Sequence, residues 1–413
     1  MPTLDDLRLD LRLRAQHGLT WFFAQTGDPL SRIDHRPWRA DPYPLFARMH
    51  AGPPVVRSRL GPLVAVGHAA NRQVLRDRDC RVRAPGGPPP EEGLVDLSFL
   101  QRDPPDHTRL RALARPAFSP RRIEGYRAGI QKITDRLLDA AAARGGFDLM
   151  RDFAAPLPIA VISELLGIPE VDNERFLRYG NALGASLDGV RSARQYRELR
   201  RAAHEIDALF ARLIEVRRAD PGEDAVSALV TSLEEDRITA AELRTMARLL
   251  LIAGFETTVN LIGNGVAALL RHRGEWERLC ADPGGLAPGA VEEVLRFDSP
   301  VQVTGRYPHR DIEVGGLAVP RGTPVILLLG AAGRDPEVFP EPDRFDITRA
   351  NAAEHLAFSA GAHYCLGAPL ARLEGEIALR ALAERLPGLR AAAVPTRRRT
   401  TTIRGYSRFP VRV

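Results

Sequence analysis

Lysine is almost absent from this chain of 413 residues: Lys132 is its single lysine, although lysine and arginine together number 58. The positive charge is therefore carried by arginine, and the formal net charge is +6. A charge of this sign suits nucleic acid, a membrane surface or an acidic protein partner. The sequence has no nucleic-acid-binding motif, so we expect no such partner and interpret the arginine run at residues 397–399 as a solvated loop.

Cysteine is also scarce. Cys80, Cys280 and Cys365 lie far apart, a spacing that excludes a disulfide framework and a zinc site built on paired cysteines. Long apolar runs are missing, so we predict no membrane span. The N-terminus alternates Leu with Asp and Arg and lacks the apolar segment of a signal peptide. We therefore expect a cytoplasmic protein that works without a membrane.

Hydrophobic residues make up 44% of the chain and charged residues 27%, which excludes wholesale disorder. Helical patterns dominate residues 106–279, and the strand-like pieces are short, at residues 60–66, 311–314 and 323–329. This distribution predicts a mainly α fold with small β-sheets. We expect a single large domain over residues 1–413, with residues 1–29 as an N-terminal extension.

One predicted helix is much longer than the others. Thr239 followed by Glu242 fits a capping box, and the helical pattern then continues, so that the element spans residues 239–272. At 1.5 Å per residue it would be about 50 Å long, enough to cross a whole domain. Charged and amide side chains along it argue against a membrane span.

The most specific pattern surrounds Cys365. Phe358, Gly361, His363, Cys365 and Gly367 follow the spacing F-x-x-G-x-H-x-C-x-G, just before a helical pattern, within residues 356–386. A thiolate there would face the N–H groups and the positive dipole end of the helix. A lone cysteine is usually a buried, inert residue, but the full pattern favours a ligand, as in thiolate ligation of haem.

A second unusual run lies in the middle of the long helix, where Glu256, Thr257 and Thr258 follow Ala253 and Gly254. An acid beside two hydroxyls inside an apolar helix is costly unless these groups are used or satisfied. The Thr257 hydroxyl can take the Ala253 carbonyl out of the helix ladder and bend the helix. Without the cysteine pattern, a kinked core helix with a solvated Glu256 would explain the run.

Two further pairs combine charge with helical spacing. Glu293 and Arg296 are i,i+3 neighbours, a spacing that is common for surface ion pairs of little energetic value. His107 and Arg111 are i,i+4 neighbours, and side chains of these types suit anionic groups such as carboxylates.

Together these segments resemble the soluble bacterial members of the cytochrome P-450 family, from about residue 30 to the C-terminus. The resemblance implies the P-450 fold, with haem b (iron protoporphyrin IX) between the long central helix and the helix after the cysteine loop. Cys365 is implied as the iron ligand. Glu256 and Thr257 are implied as the acid–alcohol pair that relays protons to dioxygen. Ser359 stands where the family often has glycine, and we expect only a minor change of loop geometry.

The resemblance implies roles for further residues. It implies that the haem propionates are bound by His107, Arg111, Arg306 and His363, and that haem is also contacted by Ala253, Phe358 and Gly367. It implies a structural cluster of Glu293, Arg296 and Arg344. It implies a mainly apolar substrate pocket behind an access loop at residues 83–100, with these lining residues: Leu249, Leu250, Ala253, Val301, Gln302 and Val303. Gln302 is a candidate polar anchor.

The implied activity is monooxygenation. O₂ and electrons from NAD(P)H, delivered by a separate ferredoxin-type donor with its reductase, would hydroxylate a mainly apolar small organic molecule in secondary metabolism. We expect a monomer that docks the donor through a basic face formed by Arg109, Arg115, Arg121, Arg122 and Arg372. A peroxide-driven enzyme is disfavoured by the Glu256–Thr257 pair, whereas oxidative coupling stays open. A c-type electron carrier is excluded because C-x-x-C-H is missing, and a haem-free homologue is disfavoured by Cys365.

Overall fold

A computed structural model of the protein describes residues 4–92, 95–169 and 172–413. Gly93 and Leu94 of the expected access loop, and residues 1–3 of the N-terminal extension, lie outside the described residues. Helices form most of the described chain, as expected. They are α1 (Leu4–Gln25), α2 (Pro29–Ile33), α3 (Tyr43–His50), α4 (His68–Arg76), α5 (Asp106–Ala114), α6 (Pro120–Ala142), α7 (Pro156–Leu166), α8 (Asn173–Ser186), α9 (Ala193–Ala219), α10 (Ala225–Glu234), α11 (Ala240–Arg271), α12 (Arg273–Ala281), α13 (Pro283–Phe297), α14 (Leu329–Ala332) and α15 (Ala368–Arg385).

The strands are short and form small sheets. They are β1 (Val55–Arg57), β2 (Leu63–Ala65), β3 (Cys80–Arg81), β4 (Gly146–Asp148), β5 (Val303–Pro308), β6 (Ile312–Val314), β7 (Leu317–Val319), β8 (Val325–Leu328), β9 (Arg390–Ala391), β10 (Thr396–Arg397), β11 (Tyr406–Arg408) and β12 (Pro410–Arg412). The largest sheet has the order β1-β2-β8-β5-β3, and the others pair β6 with β7, β10 with β11, and β12 with β4 and β9. The three strand-like pieces predicted from the sequence contain β2, β6 and β8.

Helix α11 confirms the predicted long element. The Glu242 N–H donates to Thr239 Oγ1 at 3.2 Å and the Thr239 N–H donates to a Glu242 carboxylate oxygen at 2.9 Å, so the capping box is complete. The helix ends at Arg271 and is followed by His272 as its C-cap. It is long and apolar enough to cross a membrane, but 83% of its apolar window is buried inside the protein. Its apolarity is therefore used by packing against other helices.

The helix after the cysteine loop shares a core with α11. Helix α15 begins at Ala368 with Pro369 in its first turn, where a missing N–H costs nothing. It packs against α6, α11 and α13. One large apolar cluster joins α5–α13 with α15, and two smaller clusters lie around the main sheet. The shared core fixes the cysteine loop relative to the middle of α11.

Candidate active site

The loop that carries Cys365 is a tight turn closed by its own backbone. The Cys365 N–H donates to the Phe358 carbonyl at 2.9 Å. Gly361 has a φ of +67°, and a Cβ there would lie 2.3 Å from the Leu75 carbonyl oxygen, so only glycine fits. Ser359, which departs from the family's usual glycine, has a φ of +62°. At this position the loop therefore holds a serine in the left-handed backbone region that favours glycine.

The Cys365 thiol lies at the start of α15. Burial raises the pKa of the Cys365 thiol, while the backbone N–H groups of Gly367 and Ala368 and the charge of Arg111 oppose this shift. The Arg111 guanidinium also donates to the Tyr364 carbonyl at 2.6 Å, which ties α5 to the loop. A metal ion stabilises the thiolate outright. Two N–H groups and a nearby cation suit a sulfur atom that carries negative charge.

A group of buried basic side chains beside this loop lacks the partners that burial demands. His107 is 3% exposed and both of its ring nitrogens lack a hydrogen-bond partner, while its ring lies 4.1 Å from that of His363. Arg306 is 4% exposed and donates to Thr304 Oγ1 and the Gly305 carbonyl, at 3.3 and 2.7 Å, with no ion pair to a described carboxylate. Burial lowers the pKa of Arg306 to about 10.

The pKa of His363 is lowered to about 3, first by burial and then by the charges of Arg306, His107 and Arg111, so the four predicted propionate ligands lie close together. A buried guanidinium without a carboxylate is unfavourable in a folded protein. Two haem propionates would supply the missing negative charge and accept from the orphaned nitrogens. The residues present therefore fit haem b.

The middle of α11 is open on one side. The Thr257 hydroxyl donates to the Ala253 carbonyl at 3.2 Å, as predicted. Ala253 is exposed although Ile252 and Phe255 beside it are buried. An exposed alanine in the centre of a buried helix indicates room for a ligand against this face, which suits a flat cofactor and a substrate above it.

Glu256 turns toward α8 and is not solvated. It is 3% exposed, its Oε1 forms an ion pair with the Arg398 guanidinium, and its Oε2 has no hydrogen-bond partner. Arg398 also donates to Asn181 of α8. Cβ atoms at Gly180 and Gly184 would lie 2.5 and 2.9 Å from the Glu256 carboxylate oxygens, so two glycines make the room for this side chain. The interpretation of Glu256 as a solvated residue is wrong.

The arginine run at residues 397–399 is likewise not a solvated loop. The side chain of Arg398 is 12% exposed, and that of Arg397 is 19% exposed and donates to Asp298 at 2.9 Å and Asn264 at 3.2 Å. Only Arg399 is exposed. The sequence gave no signal for this pairing, because Glu256 and Arg398 are 142 positions apart and many other arginines lie closer in sequence.

The structural cluster around Glu293 has a different third member from the one predicted. Glu293 and Arg296 are both fully buried and bonded twice, at 2.7 and 2.8 Å. The Arg344 side chain is 58% exposed, and only the Arg344 carbonyl faces the cluster, where it accepts from Arg296 at 3.1 Å. The guanidinium of Arg349, 9% exposed, lies 3.3 Å from Glu293. The prediction for Arg344 is wrong, because the turn at Asp346 places Arg349 toward the buried carboxylate.

Replacing Arg349 by glutamine is expected to lower the free energy of unfolding by about 1–3 kcal/mol, since buried acceptors lose their donor. The Arg349 guanidinium donates to the carbonyls of Pro340, Glu341 and Arg344, at 2.7, 3.1 and 2.9 Å, besides facing Glu293. Arg344→Gln is the matched control and should change stability by less than about 0.5 kcal/mol. Urea unfolding measures both, and equal effects would contradict the exchange of roles.

The predicted pocket residues lie in two places, on α11 and at or just before the start of β5. Leu249 and Leu250 are buried on α11, near the open face at Ala253. Gln302 is 2% exposed and donates to the Ser299 carbonyl at 2.7 Å and to Tyr43 Oη at 3.2 Å. Its Nε2 is thus bonded within the protein, whereas its buried Oε1 has no partner, so the role of Gln302 as a polar anchor stays a prediction.

Two valines flank Gln302. Val303 packs on the small core that contains Phe46 and Val64. Val301 forms an isolated β-bridge with Ile403, which places it against the loop between β10 and β11, residues 398–405 (the C-terminal loop).

Comparison with known proteins identifies relatives along nearly the whole chain. The protein-family model described as Cytochrome P450 matches residues 286–386. The cytochrome P450 monooxygenase PikC of Streptomyces venezuelae is 44% identical over 390 residues, which cover 90% of this chain and 91% of PikC. The 6-deoxyerythronolide B hydroxylase of Saccharopolyspora erythraea is 42% identical over 316 residues, covering 75% of this chain and 76% of the hydroxylase.

Solved structures agree. Ligand-free CYP164A2 of Mycobacterium smegmatis has a TM-score of 0.85 at 40% identity, and the match covers 93% of this chain and 99% of that one.

Proposed function

This chain belongs to the cytochrome P450 family, and from that premise we propose that it hydroxylates a mainly apolar organic molecule of polyketide or macrolide type. It is a haem monooxygenase, and its relatives include enzymes of secondary metabolism. The observation that carries the proposal is the open face of α11 at Ala253, with the acid Glu256 and the alcohol Thr257 on the same turns. The names of relatives, a 6-deoxyerythronolide B hydroxylase and a polyketide-biosynthesis P450, support the substrate class.

Haem b, bound through Cys365, supplies the activation of dioxygen and the transfer of one oxygen atom to substrate. In our proposal His107, Arg111, Arg306 and His363 hold the propionates. Phe358 and Gly367 would contact haem from the cysteine loop, and Ala253 would contact it from α11.

The proton path is proposed to run through two side chains of α11. The Thr257 hydroxyl bonds the Ala253 carbonyl, and is therefore fixed at the open face. Glu256 keeps Oε1 on Arg398, which leaves the unpartnered Oε2 as the atom that can take up a proton and pass it on. A proton donor placed within reach of the reacting group contributes about 10²–10⁴-fold to rate. The pair supports dioxygen over peroxide as the oxidant, while oxidative coupling remains an alternative outcome on the same site.

A substrate panel tests the proposed substrate class. We expect macrolides or macrolactones to shift the ferric protein from low to high spin, because a substrate that occupies the pocket would displace the water bound to iron. Short fatty acids and steroids of similar hydrophobicity serve as the comparison set. A shift with steroids alone, or product analysis that finds dimers in place of hydroxylated product, would contradict hydroxylation of a macrolide.

The electron donor is proposed to be an acidic ferredoxin that binds beside the cysteine loop, in the cytoplasm, to a monomeric enzyme. Of the five arginines expected at this face, Arg115 and Arg121 are exposed and have no ion pair in the described chain. Three are paired: Arg109 with Glu242, Arg122 with the exposed Glu223 at 3.5 Å, and Arg372 with Glu292 at 2.6 Å. Surface pairs of this kind contribute little energy, so Arg122 stays available to a partner.

Electron transfer from an acidic ferredoxin is expected to slow steeply as salt rises, because steering by exposed charges is screened over about 10 Å at 0.1 M salt. Arg115→Glu with Arg122→Glu should lower the association rate and flatten its salt dependence, leaving substrate binding unchanged. Arg194→Glu on α9, whose side chain is 84% exposed, is the control. Stopped-flow reduction measures the rates, and a rate independent of salt would rule out this face.

A further inference from the structure

Three segments are joined at the outer side of the C-terminal loop. Asp34, just after α2, accepts from the Arg191 guanidinium and, at 2.9 Å, from Thr401 Oγ1. Asp188, just after α8, accepts the N–H groups of Thr401 and Thr402, both at 2.6 Å. These bonds hold the C-terminal loop, the segment after α2 and the connection between α8 and α9 together, so their side chains form one surface.

Most of the arginines at this surface have no carboxylate partner among the described residues. Asp34 is paired with Arg191, and Asp188 is occupied by backbone N–H groups. Arg36, Arg39 and Arg399 have no hydrogen bond or ion pair from their side chains anywhere in residues 4–92, 95–169 and 172–413. Arg39 is half-buried and lines a small cavity together with Thr400 and Thr401. Its guanidinium therefore lies beside the loop that carries Arg399.

Two histidines add an unsatisfied nitrogen. His17 of α1 stacks on His35 with ring centroids 5.0 Å apart. His35 is 8% exposed, its Nδ1 lies 2.8 Å from the Ser31 carbonyl, and its buried Nε2 has no partner. The pKa of Arg39 is lowered, first by burial and then by the charge of Arg191. The charges of Arg36 and Arg399 lower it further, while the charge of Asp34 opposes the shift. The geometry agrees, since Arg39 lines one cavity with Thr400 and Thr401, and Asp34 holds Arg191 beside Thr401.

We propose that Arg39, Arg191 and Arg399 form a binding site for a phosphate or carboxylate anion on the outer side of the C-terminal loop. Guanidinium groups bind these anions through paired N–H donors, and an anion would remove the repulsion within the cluster. Arg398, next to Arg399 in sequence, reaches inward to Glu256. The anion would therefore lie just outside the proposed substrate pocket.

Two sources share this chemistry: the anionic end of a substrate whose apolar part enters the pocket, or a separate small anion. The first source rests on the function proposed above. The site itself does not, because an anion can bind there whether or not the enzyme turns over.

Calorimetric titration of the haem-loaded protein with inorganic pyrophosphate, at constant ionic strength, tests the site. We expect saturable binding that weakens at least about tenfold in the double variant Arg39→Gln, Arg399→Gln, since a hydrogen bond between charged groups contributes about that factor. Arg399 is exposed, so the single variant Arg399→Gln will fold. This variant should weaken binding several-fold. Arg201→Gln, on α9 with its side chain 83% exposed, is the control and should stay within about twofold. Absence of saturable binding, or binding unchanged in the double variant, would overturn the proposal.

Decyl phosphate and decanol separate the two sources, with the spin-state shift as readout. If Arg399→Gln weakens decyl phosphate but not decanol, the anion belongs to the substrate. If both alkyl ligands are unaffected while pyrophosphate binding is lost, the site takes a separate anion. Failure of the proposed hydroxylation would leave the pyrophosphate titration unchanged, so the two hypotheses fail independently.

Discussion

Cys365→Ser is expected to abolish the red-shifted Soret band that the reduced, CO-treated protein shows when a thiolate lies trans to CO. A serine hydroxyl at this position cannot donate electron density to iron as a thiolate does. The side chain lies where the N–H groups of Gly367 and Ala368 and the charge of Arg111 favour an anionic sulfur. Absorbance difference spectra of the purified protein measure the effect, and the loss should be complete.

The other two cysteines are the matched controls. Cys80 is buried in β3, where it pairs with Pro308 of β5. Burial raises the pKa of the Cys80 thiol to about 12. Cys280 lies in α12, where burial also raises the pKa of its thiol. Cys80 lies close enough to Arg306 for each to affect the other's pKa, but neither Cys80 nor Cys280 lies in the loop that carries Cys365, so Cys80→Ser and Cys280→Ser should keep the band. Retention of the band in Cys365→Ser would show that another residue binds iron.

Thr257→Ala is expected to uncouple the enzyme. Consumption of NAD(P)H and O₂ should continue, while product per NAD(P)H falls about tenfold or more and hydrogen peroxide rises, because the side chain proposed to donate the proton at the open face of α11 is lost. The substitution also removes the bond to the Ala253 carbonyl. Thr258→Val is the control, since Thr258 is buried at 2% exposure beside it. Unchanged coupling in Thr257→Ala would exclude the proton-relay role.

Glu256→Gln completes this test. The amide keeps the size of the side chain in the space left by Gly180 and Gly184, so substrate binding should change little. It removes the titratable oxygen and leaves the Arg398 guanidinium buried without an anion. Turnover should therefore fall far more than substrate affinity. An equal loss of both would indicate a structural role for Glu256.

Local patterns were sufficient for the elements that depend on neighbours in sequence. The capping box at Thr239 and Glu242 defines the start of α11. The apolar composition of the helix indicates how far it continues. The i,i+3 spacing gave the Glu293–Arg296 pair, and the i,i+4 spacing gave the Thr257 bond to the Ala253 carbonyl. In each case the partners lie within one helical turn, so their contact follows from helix geometry alone.

The contacts between distant segments followed from no such rule. Arg398 and Glu256 are separated by 142 positions, and neither local spacing nor propensity brings them together. Arg349 and Arg344 have the same charge and lie in the same loop, and only the path of the backbone decides which one reaches Glu293.

By itself, the sequence indicated the fold class and the family, and it predicted Cys365 as the haem ligand and Glu256 with Thr257 as an acid–alcohol pair, because these predictions rest on contiguous motifs. Only the tertiary structure decided what the arginines do. Arginine is so abundant here that its type carries no information about its position. A buried guanidinium requires an anion and a surface one does not. Burial therefore assigned Arg398 to Glu256 and Arg349 to Glu293, and it left Arg39 and Arg399 without a partner on the outer side of the C-terminal loop.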